Sequence, residues 1–598
     1  MRLSVLSAGV VALALLVGAV PGMSLAQTAE TPQALRDEAF EAAQWAIASD
    51  AADALSKVSA RFAQGDDALG RLAETHETLI ADRDRLEREL ERLYAVDDAA
   101  GLARRTAART EYEAVLARLK AVDADIEARF PAYSELTSPR ALSVAETQGL
   151  LKPDEGLLLV LVNAEATYVW AVSRDRVEWA RAEGLGEAEM AATVEALRAS
   201  LTTAAARRTR ADPGRNPLLY AGRVGPVFDR ARAHQLYARL IQPVEAVFAG
   251  KSTLITVVTG PLTTLPLAVL RTSPEDADAG AQSGWLIDRY ALATLPSVSS
   301  LKALRCYLVV DPAERSPACP DLAHPVRKPA TLAAASTLDL AAFGAPVLAG
   351  APEAGSRSAP DASGLFPAGR LADVERLRAL PSLPGSLAEL QSLQARYPTA
   401  LIRIGAAATE SAVRQGDAQA LSRARFIVFS THGLMAGPTV PEPGLVMTPP
   451  DQATEADDGY LGASEVAQLR LDADFVVLSA CNTAASDGRP DGEGLSGLAR
   501  AFFYAGARSV LVSHWEVSDA ATTALITAAF ADLDQPTRGG ADIGDRARAL
   551  QAGMRAVRAR PEWRHPAFWA PFTLVGEPAD QSSDPPPSGE VARRLSAP

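Results

Sequence analysis

The chain has 598 residues, 48% of them hydrophobic and 22% charged, an ordinary balance for globular protein. This composition excludes a collagen-like chain, disorder throughout and a polytopic membrane protein, and the length suggests roughly three to five domains. Acidic residues outnumber basic ones by 73 to 59, for a net charge of −14, so a large nucleic-acid-binding surface, which needs a basic patch, is not expected.

In chain order, Arg2 precedes an uncharged, mostly apolar stretch from Leu3 to Leu25 that ends in Ser24-Leu25-Ala26. Residues 1–26 therefore read as a secretory signal cleaved after Ala26, with Gly18, Pro21 and Gly22 breaking the helix before the small-residue site. The alternative is an uncleaved anchor, because about 20 apolar residues can span a bilayer. With cleavage, no stable membrane span remains, and the protein is expected to be exported to a bacterial periplasm or secreted.

Residues 30–135 read as a helical region, coiled-coil or repeat-like. Leu72, Leu79, Leu86 and Leu93 recur every seven residues, and Tyr112, Val115, Leu116, Leu119, Val122 and Ile126 follow helical spacing. Two amphipathic helices packed as an antiparallel hairpin satisfy both stripes, with His76 and Arg83 as flaws in the seam. No clean 34-residue repeat is evident. A structural bundle without chemistry of its own is the plainest reading.

From about residue 137 the pattern changes to strands. The runs 156–162 and 167–173 are apolar or alternating and rich in β-branched and aromatic residues, and the run after the next polar turn extends them into a hairpin. Helical stretches follow at 186–206 and 227–249, then a buried strand at 252–260. Residues 308–338 and 347–382 are rich in Pro, Ala, Gly and Ser and read as surface loops, with a short strand candidate between them. The last residues, 578–598, form a polar, Pro-rich tail expected to be disordered.

Only three cysteines occur, Cys306, Cys319 and Cys481. Cys306 and Cys319 enclose a short Pro-rich loop and form a disulfide candidate, worth about 3 kcal/mol in an oxidising compartment. His324 would make a third zinc ligand, but no fourth is evident, so neither a metal nor another cofactor is called for. Cys481 is the odd one out, either a buried small hydrophobe or a reactive thiol.

The C-terminal half alternates short apolar strands (424–430, 474–480, 508–513, 572–576) with helices, the pattern of a parallel α/β sheet covered on both faces. Two of these strands end in a chemically suggestive way: the first runs into Thr431-His432-Gly433 and the second into Cys481-Asn482-Thr483. Chemistry in open α/β sheets gathers at the carboxyl ends of strands. If the two strands are parallel neighbours, His432 and Cys481 emerge side by side. A thiol needs a base to become the nucleophilic thiolate, and the backbone N–H groups of Gly433 and Cys481 are candidate oxyanion donors. His514, after the strand 508–513, is a rival base.

These residues resemble a known family. The segments STHG, LSACNTA and GEGLSGLARAFFYAGARSVLVSHWEVSD, with PLTTLPLAVL, DRYALATLPSVSSL and LPGSLAEL upstream and HPAFWAPFTLVG downstream, are similar to a CHAT domain, a relative of the caspases and separases. The resemblance spans roughly 137–577, with a caspase-like catalytic core at about 385–577. It implies a caspase-like three-layer α/β sandwich with a mostly parallel central sheet, preceded here by the α-helical hairpin. It also implies a cysteine endopeptidase in which Cys481 attacks a peptide carbonyl and His432 acts as base and then acid. The substrate would be a protein or peptide, and the helical region could receive a protein activator. The alternative is a non-catalytic CHAT scaffold that binds a partner. By resemblance to separases, Asp519, or failing it Glu516, would form a substrate pocket for a basic side chain; the other reading of Asp519 is a helix cap. The chain departs from the family at Ser513-His514-Trp515, where Leu usually stands in place of His514.

Overall fold

The computed structural model describes residues 32–45, 99–129, 141–209, 228–274, 283–306, 338–351, 371–436, 440–481, 497–534 and 545–579. It also describes scattered positions between 75 and 93, residues 364–366, Cys319, Thr483 and Ala484. The signal-like segment 1–26 and the tail after 579 lie outside the described residues, as does most of 308–337.

Fourteen strands form two sheets among the described residues. In chain order they are β1 (Glu155–Val162), β2 (Ala166–Val172), β3 (Val177–Glu183), β4 (Thr253–Val258), β5 (Ala291–Thr294), β6 (Leu338–Gly344), β7 (Leu401–Ile404) and β8 (Ala424–Ser430). There follow β9 (Gly433–Leu434), β10 (Gly444–Val446), β11 (Tyr460–Gly462), β12 (Phe475–Ser479), β13 (Ser509–Ser513) and β14 (Phe572–Gly576). Strands β9, β10 and β11 make a small antiparallel sheet; the other eleven form one sheet in the order β3-β2-β1-β4-β5-β14-β13-β12-β8-β6-β7. The architecture is mixed α/β with a large, mostly parallel sheet, as the alternation of strands and helices predicts.

The sheet has a seam. Strands β1, β4, β5 and β14 run in one direction and β13, β12, β8, β6 and β7 in the other, meeting at the antiparallel pair β13–β14. The carboxyl ends of β13, β12, β8, β6 and β7 therefore share one rim. At the far edge, β1, β2 and β3 form an antiparallel meander, one strand longer than a simple hairpin.

Strand side chains alternate between two apolar layers, as a period of two requires. Phe426 and Val428 of β8 and Phe475 and Val477 of β12 enter one layer, with Leu390 and Leu393 of helix Pro384–Arg396 and Leu525 of helix Asp519–Leu533. Ile427, Phe429, Val476 and Leu478 enter the other, with Phe502 of helix Gly497–Ala505 and Leu301 of helix Ser299–Cys306. That last helix ends at Cys306, which is disulfide-bonded to Cys319.

Two regions differ from the sequence reading. Helix Pro32–Trp45, expected in the separate helical region, docks on the sandwich: Gln44 bonds both backbone groups of Leu142, and Phe40 packs edge-on against Trp170 of β2. The described part of 347–382 also turns inward. It carries helix Val374–Arg378, and Leu377 and Leu380 are buried against Leu434 and Val446 of the small sheet. Where the 72–93 stripe is described, Leu79 and Leu86 are packed on Val115 of helix Ala99–Arg129.

Candidate active site

Two strand ends build the site. Strands β8 and β12 are parallel and in register, with Phe475 opposite Phe426 and Ser479 opposite Ser430. Two residues beyond these paired ends the chain reaches His432 on one side and Cys481 on the other, at the same rim. The alternation that sends Phe475 and Val477 into one layer sends Cys481 toward it as well, and Cys481 is part of that apolar cluster.

Each side chain has a specific neighbour. The His432 Nε2 lies 2.8 Å from the carbonyl oxygen of Pro381. A carbonyl can only accept, so Nε2 carries the proton and Nδ1 is the basic nitrogen of the neutral ring. The Cys481 Sγ accepts the backbone N–H of Val517 at 3.4 Å. Val517 stands just outside the first turn of helix Asp519–Leu533, where backbone N–H groups and the helix dipole favour negative charge.

The turn carrying Cys481 is stitched to the end of β13. Ser513 donates its hydroxyl to the Ala480 carbonyl at 2.6 Å and its N–H to Thr483 Oγ1 at 2.8 Å, and its carbonyl accepts Ala484 N–H. On the other strand, the His432 carbonyl accepts Val446 N–H at 3.0 Å. Between them Gly433 passes so close to Cys481 that a Cβ there would stand 2.7 Å from the Cys481 carbonyl oxygen. Only glycine allows this approach, which brings the Gly433 backbone beside that of Cys481.

Both dyad candidates are buried: His432 is 0% and Cys481 1% exposed. The Cys481 side chain is thus not presented to solvent in this conformation. A cleft of about 220 Å³ involves neither residue; Leu185, Glu189, Arg232 and Arg239 are among its lining side chains.

The remaining candidates separate. His514 extends from β13 to bond Thr573 Oγ1 of β14 at 3.0 Å, on the side away from β12. Burial and the nearby Arg198 push its pKa down to about 3, so it is a neutral structural histidine. The Asp519 carboxylate is 8% exposed and accepts the Gly385 N–H at 2.6 Å. Gly385 lies in the first turn of helix Pro384–Arg396, whose own cap residue Leu383 makes no side-chain bond. Asp519 thus caps a neighbouring helix. Glu516 is half-buried and makes no hydrogen bond or ion pair among the described residues.

Sequence reasoning missed Pro381, Val517 and Gly385. All three act through backbone atoms, which leave no residue-type signature. It also missed Glu389, fully buried on helix Pro384–Arg396, whose carboxylate accepts the Ser479 hydroxyl at 3.0 Å two residues before Cys481.

A CHAT domain family model matches residues 230–577. The chain belongs to the CHAT domain family. The match begins after β1–β3, which nevertheless complete the same sheet as the CHAT strands. Tetratricopeptide repeat protein 28 of Mus musculus is 34% identical over 135 residues, and that of Homo sapiens 32% over 135. Each alignment covers 23% of this chain and 5% of the relative, so the chain spans a small fraction of the curated proteins it matches. Among solved structures, the Arg-specific cysteine proteinase gingipain R is 12% identical with a TM-score of 0.33, covering 59% of this chain and 68% of that one. The separase of the Saccharomyces cerevisiae separase–securin complex is 11% identical with a TM-score of 0.38, covering 83% and 37%. No helix among the described residues is long and apolar enough to cross a membrane.

Proposed function

We propose that this CHAT protein is an exported cysteine endopeptidase, described here in a closed form. The observation that supports the reading is the parallel, in-register pairing of β8 with β12, two strands whose carboxyl ends lead into His432 and Cys481 at one rim. Nδ1 of His432 takes the proton of Cys481, and the thiolate attacks the scissile carbonyl. The tetrahedral oxyanion is held by the N–H groups of Gly433 and Cys481. The imidazolium then protonates the leaving amine, and water hydrolyses the thioester.

Burial of the sulfur makes opening a requirement of this mechanism, and a protein activator engaging the helical region is the proposed trigger. The Cys306–Cys319 bridge suits the oxidising compartment that an exported chain meets. With Asp519 engaged by Gly385, Glu516 is the carboxylate proposed to read a basic substrate side chain.

The second reading, a partner-binding CHAT scaffold without catalysis, is favoured by the same burial. Cleavage of a peptide library by the mature chain, with candidate partners present, separates the two. Cys481→Ala and His432→Ala are each expected to lower cleavage by at least about a thousandfold, roughly 4 kcal/mol of barrier. Equal residual cleavage by both variants and the wild type would remove the dyad. Persistence of an Arg or Lys preference in Glu516→Gln would remove the pocket assignment.

A further inference from the structure

The two backbone groups that hold the dyad belong to segments leading into two different helices. Pro381, which binds the His432 ring, lies four residues before Gly385, in the approach to helix Pro384–Arg396. Val517, which donates to the Cys481 sulfur, lies two residues before Asp519, the first residue of helix Asp519–Leu533. The two helix starts are joined at Gly385. Its N–H donates to the Asp519 carboxylate at 2.6 Å, and its carbonyl accepts the Thr523 hydroxyl at 2.9 Å. That hydroxyl also lies 3.0 Å from the Asp519 carbonyl, so Thr523 and Asp519 grip one glycine from a single turn of helix. The fit is tight: a Cβ on Gly385 would stand 2.4 Å from the Asp519 carboxylate oxygens.

We propose that the Asp519–Gly385–Thr523 latch is a positioning device that sets the His432 imidazole against the Cys481 sulfur. This rests on the dyad reading and assigns Asp519 a role other than substrate recognition. In this assignment Asp519 acts through Pro381 and Val517 rather than on the substrate. A carboxylate accepting a helix N-terminal N–H is a strong, directional tie. Opening the latch lets the two helix starts separate, and with them the ring and the sulfur.

The test measures the rate and pH profile of Cys481 alkylation by iodoacetamide in the full chain, with thermal unfolding recorded beside it. Cys481 is the cysteine outside the disulfide, since Cys306 and Cys319 are bonded to each other. Because opening the latch also changes access to the buried sulfur, the profile and not the absolute rate is read: Asp519→Ala and Gly385→Ala are expected to displace it toward that of His432→Ala. Asp519→Asn keeps an accepting oxygen for the Gly385 N–H and is expected to retain the wild-type profile. A merely structural role would lower the unfolding temperature without moving the pH profile, and that result overturns the proposal. A wild-type profile in Asp519→Ala beside a displaced one in His432→Ala removes the latch and leaves the dyad standing. A wild-type profile in His432→Ala removes both. If Asp519→Ala fails to fold, Thr523→Val, which deletes one strap and leaves the carboxylate, decides: a displaced profile supports the latch and an unchanged one ends it.

Discussion

At Asp519 two readings of one carboxylate compete, and a single neighbour decides between them. Its position after Trp515 suggests recognition of a basic substrate; the Gly385 N–H at 2.6 Å makes it a cap. Nothing in the residue letters near 519 announces that partner, because it is a backbone group 134 residues away. His514 shows the same limit, since its strand-end position fits a base and its bond to Thr573 turns it away. Its depressed pKa has a consequence for stability. The folded state holds His514 neutral down to about pH 3, whereas an unfolded histidine protonates near 6.5. Its contribution is fully present above about pH 6.5 and is lost as pH falls, because the unfolded state then binds more protons. Thermal unfolding at pH 7 and pH 5 should show a smaller acid-induced drop in His514→Gln than in wild type; equal drops would refute the assignment.

At the scale of elements, strands and helices were largely legible. The apolar runs 424–430 and 572–576 coincide with β8 and β14. The period of two also makes the layer of Cys481 derivable, by counting from Phe475. Segment 371–382 was read as surface because the Pro, Ala, Gly and Ser content of 347–382 as a whole hid the three-residue spacing of Leu371, Val374, Leu377 and Leu380, two of which are buried. Helix Ser299–Cys306 carries a further tie. Arg305 bonds Glu155 of β1 and Glu577 just after β14, and all three side chains are buried. Burial works against charge on Glu155, yet Arg305 lowers its pKa; on Arg305 the two carboxylates outweigh burial and raise it. Arg305→Met strands two buried carboxylates and is expected to cost about 3–5 kcal/mol in denaturant unfolding. Replacing all three by apolar residues of matched size should restore most of it. A single-variant cost below about 1 kcal/mol would count against a buried triad, since that is the range of exposed pairs.

For the whole molecule, one eleven-stranded sheet joins the meander before residue 230 to the strands of the CHAT match. The Cys306–Cys319 bridge closes a loop of sequence separation 13. Its reduction should destabilise the chain by about 3 kcal/mol, read as a fall in denaturant midpoint. A thiol label on the native, non-reduced protein should mark at most one cysteine; three labelled cysteines would contradict the bridge.

The residue pattern alone determined which runs are strands, which strand ends carry the imidazole and the thiol, and the CHAT resemblance, because periodicity and residue type are local properties of the chain. Tertiary structure alone decided the strand order with its antiparallel seam, the register that aligns the strands leading into His432 and Cys481, the burial of both side chains, and the partners Pro381, Val517 and Gly385. Those depend on backbone groups meeting across long stretches of chain, and every residue carries the same backbone N–H and C=O apart from proline, so no side-chain alphabet encodes which of them meet.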